Sequence, residues 1–356
     1  MLALRLHGAE DARLEEIAEP VLRPGSVKIR IEWAGICGSD LHFYGSGPAY
    51  PAEQEHPVLH EKGPHTLGHE FSGTVLEVGD GVDGLAVGDL VAVRPNVWDG
   101  TCEACLRGEP NLCENRGNIG YDGGGGGFSE VAVIPAENVY KLPASFDGQL
   151  GALVESLTVA WRPVRKSGAG AGTTALVVGA GPIGLGLLLC LRAVGVEQVI
   201  VSEPGESRAA LARSLGADVV DPRGTDVAAY AIEATGGKGV DVAFDASGFD
   251  ENTLPTAFAA IRTAGTVVVV ARFHGIVPMD PKDFLFGEKT VTGSYSYTDQ
   301  DFREVIEAID SGRLDPRPLI SSTIPLKDVV GRGIEHLLGD GRSTEVKILV
   351  SPSLEG

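Results

Sequence analysis

Two short segments of this 356-residue chain place metal-binding side chains beside glycines. The first begins at Cys37 (sequence CGSDLH), and the second contains His69 and Glu70 directly after a glycine. Zinc is bound in proteins by thiolate, imidazole and carboxylate groups, and a catalytic zinc takes three protein ligands and keeps one position open. Cys37 and His69 provide two such donors, and Glu70 or Glu155 can supply an oxygen. Because a single cysteine or histidine is more often structural, each segment alone also fits a site without metal.

A second group of metal-binding side chains lies between residues 99 and 113. Its three cysteines have a spacing typical of a closed structural zinc site, in which four protein ligands surround the metal. The fourth ligand would have to be a carboxylate, and the predicted set is Asp99, Cys102, Cys105 and Cys113. One alternative is a lobe without metal. A zinc-ribbon nucleic-acid module is another, which the acidity of the chain and its large α/β remainder disfavour.

The segment 179–184 (GAGPIG) has the spacing of a dinucleotide-binding fingerprint. It follows a short apolar run and opens a stretch that predicts a helix, which is the context that this motif requires. Gly179 allows the tight turn, Gly181 lets the backbone approach a pyrophosphate, and Gly184 lets the helix pack closely on the sheet. The N–H groups at the helix N-terminus would point at the phosphates, and we count Ile183 among the cofactor contacts. The alternative is a glycine turn in a fold without cofactor.

Two charged residues after this fingerprint bear on which dinucleotide binds. Glu203 stands at the end of the next predicted strand, about 20 residues after the glycines, where a carboxylate accepts hydrogen bonds from the ribose hydroxyls and repels a 2′-phosphate. Arg208 acts in the opposite sense, because an arginine can hold a phosphate. On balance we predict NAD rather than NADP.

The first 150 residues are predicted to be rich in β-structure. Residues 27–31 alternate between polar and apolar side chains, as a half-buried strand does. Short strands are also expected at 71–78 and 90–93, each bounded by glycine or aspartate. Five consecutive glycines at 123–127 indicate a flexible turn.

From about residue 170 onward, strand and helix patterns alternate. Strands are expected at 175–178, 199–201, 217–220, 240–244 and 266–271. Helices are expected at 183–194, 206–215 and 301–311, and a last strand at 346–350. Such alternation is typical of βαβ units and a parallel sheet, so the fold class is α/β.

Composition and charge exclude several classes of function. The formal net charge of −20 repels phosphate backbones and anionic lipids, so we expect no nucleic-acid and no membrane partner. The longest apolar run, around 187–191, is far shorter than the roughly 20 residues of a membrane-spanning helix. Five cysteines, three of them clustered, favour metal chemistry in a reducing compartment over disulfides. We therefore expect a cytoplasmic protein.

The order and spacing of these motifs resemble the zinc-containing medium-chain dehydrogenases over essentially the whole chain. Segments 37–44 (CGSDLHFY) and 66–73 (TLGHEFSG) are most similar to 2,3-butanediol dehydrogenases and then to sorbitol-type polyol dehydrogenases. The resemblance implies a GroES-like β-rich catalytic domain at 1–151, completed by 295–356, and a Rossmann domain with a doubly wound parallel sheet at 152–294. It also implies a homodimer or homotetramer.

The resemblance also assigns the ligands of a catalytic zinc, which carry over to Cys37, His69, Glu70 and Glu155. In simple alcohol dehydrogenases a second cysteine stands in place of Glu155, so this chain is more similar to the polyol branch. Asp99 replaces the first structural cysteine of the family. Ser156 and Arg162 replace a proline and a histidine of the relatives, which can alter the wall of the substrate pocket.

The expected reaction is the reversible oxidation of a secondary alcohol, with hydride transfer to NAD. Ser39 can pass on the proton, and His42 is either an outer member of that relay or a buried, hydrogen-bonded histidine. Glu155 either coordinates the zinc or holds a zinc-bound water. A vicinal diol of the 2,3-butanediol/acetoin type is the expected substrate. Sorbitol- or xylitol-type polyols, L-threonine, and a non-catalytic NAD-binding protein are the alternatives.

Overall fold

The computed structural model describes residues 1–48, 50–248, 251–273 and 275–354, and the chain divides into two compact units. The first unit contains Met1–Glu155 and Arg317–Gly356, and the second contains Ser156–Pro316. Within the described residues, no helix is both long enough and apolar enough to cross a membrane.

The regular elements are named here in chain order. The strands are β1 Leu2–Gly8, β2 Asp11–Glu16, β3 Ser26–Gly35, β4 His65–Thr66, β5 Glu70–Val78, β6 Leu90–Val93, β7 Asn96–Val97, β8 Gly117–Asn118, β9 Val131–Pro135, β10 Val139–Lys141, β11 Thr174–Val178, β12 Gln198–Ser202, β13 Asp218–Val220, β14 Val240–Asp245, β15 Ile261–Val269, β16 Thr290–Gly293, β17 Ile320–Pro325 and β18 Lys347–Ser351. The α-helices are α1 Gly38–Ser46, α2 Glu103–Leu106, α3 Gly148–Ser167, α4 Pro182–Ala193, α5 Glu206–Ser214, α6 Val227–Ala234, α7 Thr253–Ala260, α8 Pro281–Gly287, α9 Asp299–Asp310 and α10 His336–Leu338. Short 3₁₀ turns lie at Pro110–Leu112, Ala136–Asn138, Arg317–Leu319, Leu326–Asp328 and Asp340–Ser343, and a π-helical segment at Val329–Glu335.

The main sheet of the first unit is built around β3. Among the described residues its strand order is β10-β6-β5-β3-β18-β17, and β9 also pairs with β3. The tail of the chain completes this sheet, because β18 pairs with the end of β3, where Leu349 lies opposite Gly35. On the other edge of β3, the register with β5 places Gly35 opposite Glu70. Smaller sheets are formed by β2-β1-β4 and by β7-β8.

The second unit contains a parallel sheet with the strand order β13-β12-β11-β14-β15-β16 among the described residues. Its first strand, β11, lies in the middle, and later strands extend the sheet to both sides, which is the doubly wound arrangement. Leu176, Ile200, Ala243 and Val267 form part of its fully buried core. The predicted α/β class is confirmed. The strand order reverses between β11 and β14, and such sheets bind ligands at the carboxyl ends of the strands there.

The second unit extends further along the chain than the boundary at residue 294 that the resemblance implied. Helix α9 belongs to it, whereas residues 295–356 were expected in the first domain. Asp301 of α9 is fully buried and accepts hydrogen bonds from Arg162 Nη1 (3.0 Å) and Arg165 Nε (2.6 Å), both on α3. These charged bonds hold α9 against α3. The head group of Arg162, one of the departures from the family pattern, is therefore engaged with Asp301.

Two helices carry predicted site residues that the sequence patterns did not place on helices. The sequence patterns place Cys37 beside a glycine and predict no helix there, whereas Cys37 is the N-cap of α1, on which Ser39 and His42 lie. Glu155 lies on α3, a 20-residue helix that contains Pro163 in its interior. Proline and glycine are the poorest helix formers, so local propensity does not reveal α3.

Candidate active site

The structure brings together three predicted metal ligands in the first unit. The sulfur of Cys37, a ring nitrogen of His69 and a carboxylate oxygen of Glu70 all lie within 4.8 Å of one another. Cys37 lies between β3 and α1, and His69 immediately precedes β5. Pairing of β3 with β5 creates the cluster, because it aligns the end of one strand with the beginning of the other.

Asp40 connects the two segments that carry these donors, and sequence analysis missed this function. Its fully buried carboxylate accepts hydrogen bonds from the backbone N–H of Cys37 (2.8 Å) and of Gly68 (3.2 Å). The first bond belongs to a capping box at the start of α1, and the second fixes the residue before His69. An acidic residue three positions after an N-cap was the available signal.

The imidazole of His69 is buried among polar and aromatic groups. Ser39 Oγ lies 3.2 Å from its Nε2, Asp40 Oδ1 lies 3.6 Å from its Nδ1, and the ring of Tyr121 meets it edge-on with ring centroids 5.4 Å apart. Burial lowers the pKa of His69, but the negative charges of Asp40 and Cys37 outweigh it and raise the pKa well above its usual value. Surroundings that stabilise positive charge in this way also suit a metal cation.

Glu70 forms a buried ion pair that no sequence pattern indicated. Lys347 Nζ lies 2.8 Å from Oε1 and 2.6 Å from Oε2 of Glu70, and it also donates to the carbonyl of Ile36 (3.3 Å). The two side chains are only 1% and 3% exposed. Burial lowers the pKa of Lys347, but the charges of Glu70 and Cys37 outweigh it and raise the pKa, so the ammonium stays charged. A lysine within the apolar segment 346–350 was the only available signal.

Glu155 and His42 are placed differently from the three converging residues. Glu155 is buried on α3, and its charge contributes to the raised pKa of Lys347. Within the part of the chain that is described, Glu155 is not in the group whose donor atoms all lie within 4.8 Å of one another. His42 is exposed, one turn after Ser39 on α1. The alternative of a buried His42 is therefore wrong.

Close backbone packing around His69 depends on glycines. Gly68 has a φ of 89°, in the left-handed region that favours glycine, and a Cβ there would lie 2.7 Å from the backbone nitrogen of Phe128. Gly127, the last of the five consecutive glycines, donates a hydrogen bond to the carbonyl of Gly68 (2.6 Å). A Cβ on Gly127 would come within 2.7 Å of Phe71. The end of the glycine run is thus packed against the His69 segment.

The second predicted metal group also converges. One donor atom from each member lies within 4.8 Å of the others, and the members are Asp99, Cys102, Cys105 and Cys113. Cys102 is the N-cap of α2 and Cys105 lies in its single turn, so the helix brings two thiols to one side. Cys113 follows a 3₁₀ turn and is fully buried.

Asp99 is held in a fixed orientation by three donors. Its Oδ1 accepts the backbone N–H groups of Thr101 (2.8 Å) and Cys102 (3.0 Å), and its Oδ2 accepts from Asn115 Nδ2 (2.8 Å). These hydrogen bonds, led by that of Cys102, hold the pKa of Asp99 well below its usual range. Burial, followed by the neighbouring thiols, raises the pKa of Cys105 to about 12. Asp99 therefore presents an ionised oxygen to a group of thiols.

In the second unit, the glycine fingerprint forms a strand, a turn and a helix. Gly179 follows β11 with a φ of 95°, and Gly181 is the N-cap of α4. A Cβ on Gly184 would overlap the carbonyl oxygen of Gly179, so only glycine permits this turn. Ile183 lies in the first turn of α4, whose N–H groups have no acceptor within the helix. This is the local context that phosphate binding requires.

Glu203 is fixed beside that turn, at the end of β12. Its Oε2 accepts the N–H of Ala180 (2.7 Å), and its Oε1 accepts the N–H of Gly205 (2.7 Å). Each carboxylate oxygen has a further lone pair, so both can also accept hydroxyl groups of a ligand. Arg208 on α5 lies close by, with Nη1 3.9 Å from the Cβ position of Gly181.

The donor sets fit zinc. Thiolate, imidazole and carboxylate are the ligands that zinc takes, and the first cluster places one group of each kind within 4.8 Å of the others. The buried Nδ1 of His69 has no hydrogen-bond partner, so this nitrogen is available to a metal ion. The cluster of Asp99 with three cysteines offers the four ligands of a closed site.

The whole chain is similar in sequence and structure to zinc-containing alcohol dehydrogenases. Residues 23–144 match the family described as the alcohol dehydrogenase GroES-like domain, and residues 182–311 match the zinc-binding dehydrogenase family. The (R,R)-butanediol dehydrogenase of Bacillus subtilis is 41% identical over 355 residues, which cover 99% of this chain and 100% of the relative. The crystal structure of 2R,3R-butanediol dehydrogenase from Bacillus subtilis has a TM-score of 0.92 and 40% identity, with 99% of each chain covered. A protein described as a short chain alcohol dehydrogenase from Escherichia coli, solved with NADH, has a TM-score of 0.87 and 29% identity, again over 99% of each chain.

Proposed function

Because this chain belongs to the alcohol dehydrogenases that join a GroES-like domain to a zinc-binding dehydrogenase domain, we propose that it interconverts 2,3-butanediol and acetoin. It is an oxidoreductase that uses NAD and zinc. In the oxidative direction, a CH–OH group gives a hydride to NAD⁺ and a proton to the enzyme, and a ketone, NADH and H⁺ result. The observation that carries the proposal is the convergence of Cys37 and His69, with the Glu70 carboxylate beside them, in a chain similar over its length to a butanediol dehydrogenase.

We propose that Cys37 and His69 hold the catalytic zinc together with one carboxylate, and that the group of Asp99 and three cysteines holds a structural zinc. When bound, zinc supplies a Lewis acid that lowers the pKa of a coordinated hydroxyl, and NAD supplies a hydride acceptor. The Ser39 hydroxyl can accept and donate a proton, and its oxygen lies 3.2 Å from His69 Nε2, beside the metal donors. His42, exposed one turn further along α1, can pass that proton to solvent.

In the second unit, the proposed roles concern the dinucleotide. Gly181 allows close approach of the pyrophosphate, and the first turn of α4 binds its oxygens. The Glu203 carboxylate accepts hydrogen bonds from the adenosine ribose hydroxyls and disfavours a 2′-phosphate. Arg208 adds a positive charge near the same turn.

The experiment that tests the substrate is a panel of vicinal diols, sugar alcohols and L-threonine, followed by nicotinamide absorbance with NAD and with NADP. We expect the highest kcat/KM with 2,3-butanediol and NAD. A higher value for sorbitol, xylitol or L-threonine would overturn the substrate assignment and leave the enzyme class intact.

The metal site is tested with two cysteine variants. Cys37→Ala removes a proposed ligand, so we expect turnover to fall below detection while NAD still binds, as measured by calorimetry. Cys190→Ala is the matched control, because this thiol is buried in α4 of the second unit, where burial raises its pKa and keeps it a neutral core group. Wild-type turnover in the Cys37→Ala enzyme would refute the assignment.

We also propose that the enzyme is a homodimer or homotetramer that acts in the cytoplasm. The second unit exposes the large apolar side chains Ile276, Leu285 and Phe286, and such groups are often covered by a second subunit. All five cysteines are free thiols, which suits a reducing compartment. Light scattering after size-exclusion chromatography gives the assembly, and a monomeric mass would contradict the first proposal.

A further inference from the structure

We propose that Lys347 is a positioning residue of the metal centre. It holds the carboxylate of Glu70 beside the metal position without letting it bind there. Glu155 is then left as the third protein ligand, and one coordination position stays open for the substrate hydroxyl. This inference rests on the metal site proposed above.

The strand pairing of the first unit brings Lys347 to this place. It begins β18, whose neighbour in the sheet is the end of β3, and Ile36 donates its N–H to the carbonyl of Ile348 (3.0 Å). The ammonium also donates a hydrogen bond to the carbonyl of Ile36, the residue before Cys37. Gly35 makes room for the pair, since a Cβ there would overlap Glu70 Oε2. The ion pair therefore lies between the thiol segment and the imidazole segment.

The ammonium of Lys347 donates a hydrogen bond to each carboxylate oxygen of Glu70. An ammonium has three N–H donors, and here the acceptors are Oε1, Oε2 and a backbone carbonyl. Of the lysines and arginines in the described residues, Lys347 and Arg94 are the buried ones, and Arg94 bonds Tyr140 and the carbonyl of Asn96. Lys347 is thus the buried cation that neutralises the carboxylate next to the metal donors.

Without Lys347, the carboxylate of Glu70 would lose its counter-charge while remaining close to a dication. One of its oxygens already lies within 4.8 Å of the donors of Cys37 and His69. Binding to the metal would then replace the lost ion pair, and Glu70 would occupy the position that a catalytic zinc keeps open. The expected defect is a closed metal site with normal or increased metal retention.

The test uses enzyme in which zinc is replaced by Co²⁺, with imidazole as an added ligand that enters an open coordination position and shifts the visible bands of the cobalt. For Lys347→Gln we expect the imidazole concentration at half-saturation to rise about 10- to 100-fold. This is the range typical of substitutions at residues that orient the groups around a metal. kcat falls in parallel, and Co²⁺ is retained against dipicolinate at least as well as in the wild type. Lys347→Arg keeps the charge and remains within a few fold of the wild type.

Glu70→Gln distinguishes this account from a purely structural role. Because Glu70 is held off the metal, we expect this variant and the double variant Glu70→Gln/Lys347→Gln to bind Co²⁺ and imidazole like the wild type. Weaker metal retention in Glu70→Gln would show that Glu70 is itself a ligand and would overturn the inference, even if Lys347→Gln did not fold. Imidazole binding by Lys347→Gln equal to that of the wild type would overturn it as well.

Failure of the underlying metal site gives a different result. If Cys37→Ala kept the imidazole-sensitive cobalt bands, the metal site itself would be wrongly assigned. If Cys37→Ala lost them and Lys347→Gln titrated like the wild type, only the role of Lys347 would be refuted. The cobalt bound at Asp99 and its three cysteines is surrounded by four protein ligands and contributes equally to every spectrum.

Discussion

Replacement of Glu203 by glutamine tests the cofactor site without changing the shape of the side chain. In the wild type both carboxylate oxygens accept a backbone N–H at 2.7 Å, one from Ala180 and one from Gly205. In Glu203→Gln one of these oxygens becomes an NH₂ group that faces an N–H donor. One buried N–H then loses its acceptor, which costs about 1–3 kcal/mol of folding free energy.

The effect on NAD follows from the same loss of charge. A hydrogen bond to an ionised group contributes about 1.5–3 kcal/mol and is roughly twice as strong as a neutral one, so two ribose hydroxyls together lose about 1.5–3 kcal/mol. Since 1.4 kcal/mol corresponds to tenfold, the Kd for NAD rises about 10- to 100-fold. NADP gains from the removal of a negative charge near its 2′-phosphate, so the preference for NAD falls further.

The assay is calorimetric titration of the wild type and Glu203→Gln with both dinucleotides, alongside thermal unfolding to measure the structural cost. Glu206→Gln is the matched control, because this carboxylate lies three residues later, its side chain is 83% exposed, and its ion-pair partner is Arg213 on the same helix. We expect Glu206→Gln to bind NAD like the wild type. An unchanged NAD affinity in Glu203→Gln, or equal losses in the two variants, would refute the role of Glu203.

Two further predictions concern carboxylates elsewhere in the chain. Asp99→Ala removes the fourth donor of the cysteine cluster. We therefore expect one zinc to be released to a chelator about 10- to 100-fold faster than in the wild type. Equal retention of two equivalents of zinc by both proteins would contradict this prediction. Burial raises the pKa of Asp301, but hydrogen bonds from Arg165 and Thr298 outweigh it, and the net pKa lies below the ordinary 3.8. Its ionised form therefore stabilises the fold above that pH, and the contribution is lost as the pH falls through the lowered pKa. We expect Asp301→Asn to reduce the free energy of unfolding at neutral pH by an amount at the lower end of about 3–5 kcal/mol, since the Arg165 side chain is 37% exposed. Urea titrations from pH 7 to 3 should show the difference between the two proteins shrink. A difference that stays constant over this range would contradict the prediction.

Local sequence patterns predicted the elements that bind the dinucleotide. The strand before Gly179, the helix after it and the strand that ends before Glu203 all appear within a few residues of their expected bounds. The apolar side chains of each strand or helix recur at the spacing expected for that element. The spacing of three glycines within six residues likewise predicts the turn between them. The same reasoning missed α3, whose proline and glycines hide a helix that is stabilised by packing.

Roles that depend on distant partners were not predictable in this way. Asp40 was visible as part of the CGSD segment, but its bond to Gly68 joins residues 28 positions apart. Arg162 was judged a candidate for the substrate pocket, and its bond to Asp301 spans 139 positions. Periodicity within one element contains no information about such pairs, because they form only when separate elements pack together.

Reading the residues alone predicts the chemistry available to this protein: two sets of zinc-type donors, a dinucleotide turn and a carboxylate after the next strand. Residue type and short spacing are sufficient for this, since donor chemistry and turn geometry are local properties. Which donors meet, and what holds them, depends on how the strands pair in the folded chain. Lys347 reaches Glu70 across 277 positions of the chain because β18 pairs with β3 and β3 pairs with β5. The pairing of strands depends on burying a whole face of the sheet, which no single segment of the sequence specifies.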